Sequence, residues 1–193
     1  MNSIDLLNEK ISILGDIMSR ISPEYDNIFL ECSELFLTTL RKQGTIFWCG
    51  NGGSAAESSH LAAELIGRFK SNRKALPSIS LSSDLSVITC IANDFGYEKV
   101  FSRQLSALAK KGDILIVLST SGESKNIVEV LSLAKQIQIK SIAFLGSGGG
   151  QASKIADFSI VIDSSETARI QEMHLLLGHT LCEYAEIKMK AML

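Results

Sequence analysis

No C-x-x-C spacing occurs in this 193-residue chain, and its four cysteines, Cys32, Cys49, Cys90 and Cys182, lie far apart, three of them inside apolar runs. They read as reduced core thiols rather than a disulfide framework. No run approaches the ~18 apolar residues of a membrane span. The start, Met1-Asn2-Ser3-Ile4-Asp5, lacks the basic opening and unbroken apolar segment of a secretory signal, so a soluble, cytoplasmic protein is expected. No long basic stripe tracks nucleic-acid phosphates: Lys+Arg number 19 against Asp+Glu 21, for a formal net charge of -2. The densest positive stretch, Arg68, Lys70, Arg73 and Lys74, reads as a solvated loop. The G-x-x-x-x-G-K-[ST] pattern of the nucleotide P-loop is absent, as are internal repeats, low-complexity tracts and linkers.

What is present is ordinary globular composition, 46% hydrophobic and 21% charged. The length suits one domain, here 1–193, that buries roughly two-thirds or more of its unfolded surface. A mean hydropathy of +0.20 is on the apolar side and hints at surface covered by other subunits.

Leu6, Leu7, Ile11, Leu14, Met18 and Ile21 recur at helical spacing, and Ser22-Pro23-Glu24 supplies a cap, a first-turn proline and an acid for a second helix. Two helices are therefore expected in an extension over 1–43, packed on their own domain or on a neighbour. From Gly44 onward short apolar runs alternate with amphipathic stretches. Strands are expected at 45–49, 79–81, 114–118, 142–145 and 158–162. Helices fall near 54–68, 85–92, 100–109 and 127–137, with a long last helix over about 166–192. Apolar strands separated by helices predict an α/β fold with a doubly wound, five-stranded parallel sheet. Ligands then bind at the carboxyl ends of strands, beside a topological switch point.

The turns after the strands carry the chemistry. Asn51-Gly52-Gly53-Ser54 follows the first strand; its glycines permit positive φ and close backbone approach, and Ser54 can cap the next helix. An ordinary tight turn is the plainer reading. Ser119-Thr120-Ser121-Gly122-Glu123-Ser124 offers four hydroxyls and no lysine, which suits the phosphate of a small monoester at a helix N-terminus. Gly146-Ser147-Gly148-Gly149-Gly150 reads as conformational. His60 and Glu64, at i and i+4, share a face and can hold a metal, a proton path or a surface hydrogen bond. His179 lies among apolar neighbours, where a core histidine is the plain reading. At about 100° per residue Glu172 is nearly in line with it, and Gln171 is roughly 80° away.

Taken together, Cys49-Gly50-Asn51-Gly52-Gly53-Ser54, His60-Leu61-Ala62-Ala63-Glu64, Asn93-Asp94-Phe95-Gly96, Ser119-Thr120-Ser121-Gly122 and Ala168-Arg169-Ile170-Gln171-Glu172-Met173-His174 resemble the phosphoheptose isomerase family within the SIS, or sugar isomerase, fold. The resemblance spans nearly the whole chain. It implies a flavodoxin-like single SIS domain in a homotetramer that interconverts sedoheptulose 7-phosphate and D-glycero-D-manno-heptose 7-phosphate, for surface-polysaccharide heptose. It also implies a zinc site at His60, Glu64, Gln171 and His179, choosing Gln171 over Glu172. Substrate contacts are implied at Asn51, Gly52, Gly53, Glu64, Asn93 and Asp94, and further along at Ser119, Thr120, Ser121, Ser124 and Gln171. Glu64 and His179 would be the proton-transfer pair, since moving a carbonyl between adjacent carbons needs a base beside it and an acid for the enediolate.

Non-enzymatic SIS proteins of the replication-initiator-associating type share much of this pattern but lack the acid at the place of Glu64 and the histidine at the place of His179. A phosphosugar-binding regulator would carry a DNA-binding extension. Arabinose 5-phosphate isomerase is usually longer, with regulatory repeats.

Overall fold

The computed structural model describes residues 2–190, with the backbone alone at residues 22–24. The chain opens with one helix, α1 (Ser3–Arg41), begun by an Asn2–Asp5 capping box. The two expected helices are therefore one; the cap expected from the side chains of Ser22 and Glu24 lies outside the described residues. A proline inside a helix costs about 3 kcal/mol. Packing on both sides outweighs that cost, because Ile13, Leu14, Ile17 and Ile21 before it, and Phe29, Cys32 and Phe36 after it, reach the same core.

The remaining elements alternate as the apolar runs predict: β1 (Ile46–Gly50), α2 (Gly53–Ile66), β2 (Ser78–Ser80), α3 (Leu85–Phe95), a 3-10 turn at Tyr97–Lys99, α4 (Ser102–Leu108), β3 (Ile114–Ser119), α5 (Lys125–Gln136), β4 (Lys140–Gly146), α6 (Ala152–Ile155), β5 (Phe158–Ile162) and α7 (Thr167–Lys190). The expected end of α7 near Met192 lies outside the described residues. Ser54 does not cap α2, because Gly52 holds the cap position and the helix already includes Ser54. The four-residue α6 and the 3-10 turn are too short to show a period in sequence.

All strands run parallel in the order β2-β1-β3-β4-β5, the flavodoxin-like arrangement. Side chains alternate across the sheet. Ile114, Ile116 and Leu118 join a core with α1, α2 and α7. Leu115 and Val117 face the opposite core, with α3, α4, α5 and α6. β1 and β3 are neighbours, with Gly50 paired to Leu118. The chain leaves β1 in one direction and β3 in the other, so the turns at Asn51 and Ser119 meet at the switch point.

Candidate active site

The turn after β3 lies at the mouth of a cavity of about 160 Å³ lined by Asn51, Ser119, Thr120, Ser121, Ser124 and Gln171, among others. Two of its hydroxyls shape the turn itself: Ser119 Oγ accepts from Gly122 N at 3.1 Å, and Ser121 Oγ accepts from Glu123 N at 3.2 Å. Ser124 sits at the cap position of α5 without a side-chain cap bond and lines the cavity, next to the helix's first amides, which have no partner within the helix. The Gly146–Gly150 loop packs against this turn at Gly122, where a Cβ would collide with Gly149 O, and the residues just after it bond to the turn, Ala152 N to Gly122 O at 2.9 Å and Gln151 N to Glu123 Oε1 at 3.0 Å. Its conformational reading fits that contact. On the other side Gly52 adopts φ 56°, and a Cβ on Gly53 would collide with Gln171 Nε2. The missing side chain at Gly53 lets the Gln171 amide lie against the turn, and any larger residue would have to displace that amide.

α2 and α7 run side by side in the same direction. Gly53 meets Gln171 near their starts, and Leu61 meets Gly178 further along, where a Cβ would come within 2.5 Å of the leucine. The close approach brings His60 and Glu64 on α2 to His179 on α7. His60 Nε2 and His179 Nε2 are 2.8 Å apart, and His60 Nε2 is 3.4 Å from Glu64 Oε1. The imidazoles meet edge to face at 80°, with centroids 5.0 Å apart, and the Phe69 ring lies 5.4 Å from that of His179. Burial, then the neighbouring His60, hold the His179 pKa below the ordinary range, with Glu64 opposing. A neutral imidazole is the form that accepts a proton or binds a metal. Ligand atoms of His60, Glu64 and His179 all lie within 4.8 Å of one another. Two histidines and a carboxylate are a donor set that zinc takes while keeping a position open.

Residues 11–146 match the SIS domain family model. The chain is 51% identical over 150 residues to the phosphoheptose isomerase of a Nitratiruptor species, covering 78% of this chain and 80% of that protein. With a phosphoheptose isomerase of Helicobacter pylori it shares 42% identity over 182 residues, 94% of this chain and 95% of the other. The chain belongs to the phosphoheptose isomerase family. The solved phosphoheptose isomerase of Neisseria gonorrhoeae superposes with a TM-score of 0.88 at 33% identity, over 96% of this chain and 99% of the other. That of Francisella tularensis gives the same TM-score at 28% identity and the same coverage.

Within this phosphoheptose isomerase fold the residues singled out from sequence fall into three places. Asn51, Gly53, Ser119, Thr120, Ser121, Ser124 and Gln171 line the cavity, and Gly52 shapes the turn beside it. His60, Glu64 and His179 form the second group. Asn93 and Asp94 stand exposed on α3, hydrogen-bonded to each other at 2.8 Å, and do not line the cavity. Gln171 lies eight residues before His179, about 12 Å along the helix axis, and lines the cavity. Glu172, which helix angles favoured, is exposed and pairs with Arg169 at 2.5 Å. The site side of α7 is set by its contact with α2, which sequence angles do not specify.

Further residues here escaped the sequence reading. Asn126, buried at the start of α5, holds the Asn51 side chain, and Tyr97 Oη donates to Asn51 Oδ1 at 2.9 Å. Thr167 joins the cavity lining one turn before Gln171. Glu57 lies 7% exposed on α2, one turn before His60 and Leu61, with neither carboxylate oxygen hydrogen-bonded. Burial pushes its pKa up to about 7; the nearby Ser54 hydroxyl pulls it down without making a full hydrogen bond to either oxygen. An acid within an otherwise ordinary helical stretch gives no sequence signal of such burial.

Proposed function

We propose that this chain isomerises sedoheptulose 7-phosphate to D-glycero-D-manno-heptose 7-phosphate through an enediol, with Glu64 and His179 as the proton-transfer pair. The observation that supports the reading is the convergence of His60, Glu64 and His179, with the two histidines 119 residues apart in the chain, on the same two helices whose starts meet at a hydroxyl-lined cavity. The reaction belongs to heptose biosynthesis for surface polysaccharide, and no helix among the described residues is long and apolar enough to cross a membrane, in keeping with a cytoplasmic enzyme.

The free amides and hydroxyls at the start of α5 hold the substrate phosphate, where helix dipole and hydrogen bonds act together. Gln171 and Asn51 face the sugar chain from the opposite wall. Glu64 takes the proton from the carbon beside the carbonyl and returns it to the neighbouring carbon. His179 moves the proton between the two oxygens, its neutral ring being able to accept and then donate. Zinc held by His60, Glu64 and His179, with Gln171 as the fourth ligand that the family resemblance implies, would supply Lewis acidity at the carbonyl oxygen. The first half of α1 exposes Ile4, Leu7, Ile11 and Met18 in a helical stripe, which supports subunit contacts in a homotetramer.

Purified protein mixed with sedoheptulose 7-phosphate tests the reading. Formation of the aldose phosphate, lost on prolonged chelation and restored by zinc, is expected. A protein that binds the ketose phosphate without converting it would instead favour the non-enzymatic alternative.

A further inference from the structure

Residues 67–77 connect α2 to β2 without regular structure, yet they are held on α7 by one buried carboxylate. Glu186 accepts from Phe69 N at 3.2 Å, Lys70 N at 3.0 Å and Ser71 N, three successive amides closing around an anion. Burial alone would raise its pKa; the three amides reverse this and hold it below the ordinary carboxylate range. Arg73 Nε adds a fourth bond at 3.1 Å, and the pair is withdrawn from solvent, with side chains 10% and 5% exposed. Arg73 thus departs from the solvated loop expected of the stretch from Arg68 to Lys74. Its other nitrogens donate to the last turn of α2, to Glu64 O at 2.7 Å and Leu65 O at 2.9 Å, carbonyls that a helix end leaves open.

Both ends of this latch reach the proton-transfer pair. The loop that Glu186 grips carries Phe69, whose ring lies against His179 at 31° on a 5.4 Å centroid separation. The arginine paired with Glu186 holds the main chain of Glu64 itself. We infer that Glu186 and Arg73 are positioning residues for catalysis, fixing the His179 ring through Phe69 and the Glu64 backbone through its carbonyl. The inference rests on the assignment of Glu64 and His179 above. A loop clamp that served stability alone would need neither the ring on His179 nor a bond to the carbonyl of that particular residue. The physical reason for such a device is that displacing a reacting group by about 1 Å costs on the order of a hundredfold in rate.

Four variants test it. Phe69→Leu removes the ring and leaves the amide bond to Glu186, so kcat should fall about tenfold or more with KM changed less than about twofold and the melting temperature nearly kept. Phe69→Tyr, which retains the ring, should restore kcat. Glu186→Gln weakens the grip on all three amides and should lower kcat in the same way. In zinc-free protein at one fixed pH, the ring-current-shifted imidazole protons of His179 should move in Phe69→Leu and also in Glu186→Gln, where Phe69 is still present. A His179 resonance unmoved in Glu186→Gln overturns the latch whatever the rates are. Unchanged kcat in Phe69→Leu overturns it as well. A fully active His179→Ala would overturn it by another route, since the site assignment then fails while the resonance shifts remain.

Discussion

Asn51 and Asn126 exchange two hydrogen bonds, Asn51 Nδ2 donating to Asn126 Oδ1 at 2.9 Å and Asn126 Nδ2 donating to Asn51 Oδ1 at 2.8 Å. One residue follows β1 and the other opens α5 after β3, so the pair ties together the two turns of the switch point. Asn126 is 2% exposed, and water does not replace a bond lost there. Asn126→Ala should cost about 1–3 kcal/mol of stability. It should also raise KM for the sugar phosphate several-fold, because the cavity walls lose their common anchor. Denaturant unfolding and steady-state kinetics check both, and a change in neither would show the pair to be incidental.

Gly178 on α7 has a comparable role between helices. A methyl group there would meet the buried Leu61 side chain, Cδ1 at 2.5 Å, so Gly178→Ala requires the leucine to repack or α7 to move away from α2. The overpacking should cost about 1–3 kcal/mol and should weaken zinc binding, since His179 shares that helix with Gly178. Zinc affinity by competition with a chromogenic chelator reads the second effect. Unaltered affinity would mean that the His60–His179 approach does not depend on helix spacing.

Glu57 and His174 make opposite contributions to stability over nearly the same pH range. Burial raises the Glu57 pKa from 4.5 to about 7, so its contribution is complete below 4.5 and is lost as pH rises through 7. Burial lowers His174 from 6.5 to about 4, against its bond to Leu145 O, so its contribution is present above 6.5 and is lost as pH falls through 4. The two slopes oppose each other in the natural protein. Glu57→Gln should unmask the histidine slope, with stability rising steadily from pH 4 to 6.5 and a gain over the natural protein of about 3 kcal/mol at most above pH 7. Parallel stability curves for the two proteins would show that Glu57 titrates normally.

Much of this was legible in the sequence because parallel strands buried on both faces are short apolar runs, and the run Ile114 to Leu118 can hardly be anything else. The turn from Ser119 to Ser124 was legible as cavity lining because it follows the most buried strand, while the use of Ser119 and Ser121 Oγ to hold the turn's own amides was not. The break expected at Pro23 was wrong because a local signal lost to packing along the whole of α1. Helix angles pointed to Glu172 and only the family resemblance chose Gln171, while the buried Arg73 and the unpaired Glu57 were not legible at all. Each depends on which face of α2 or α7 meets the other, a tertiary contact set by Gly53 and Gly178.

Glu64→Gln tests the central claim most directly. The variant keeps the shape of the side chain and an oxygen within reach of His60, but removes the base. Turnover of sedoheptulose 7-phosphate, measured with zinc occupancy and melting temperature held alongside, should fall by roughly 10²–10⁴ while the protein stays folded. Turnover near that of the natural protein, in a variant with the same zinc content, would contradict the assignment of Glu64 as the residue that carries the proton between carbons.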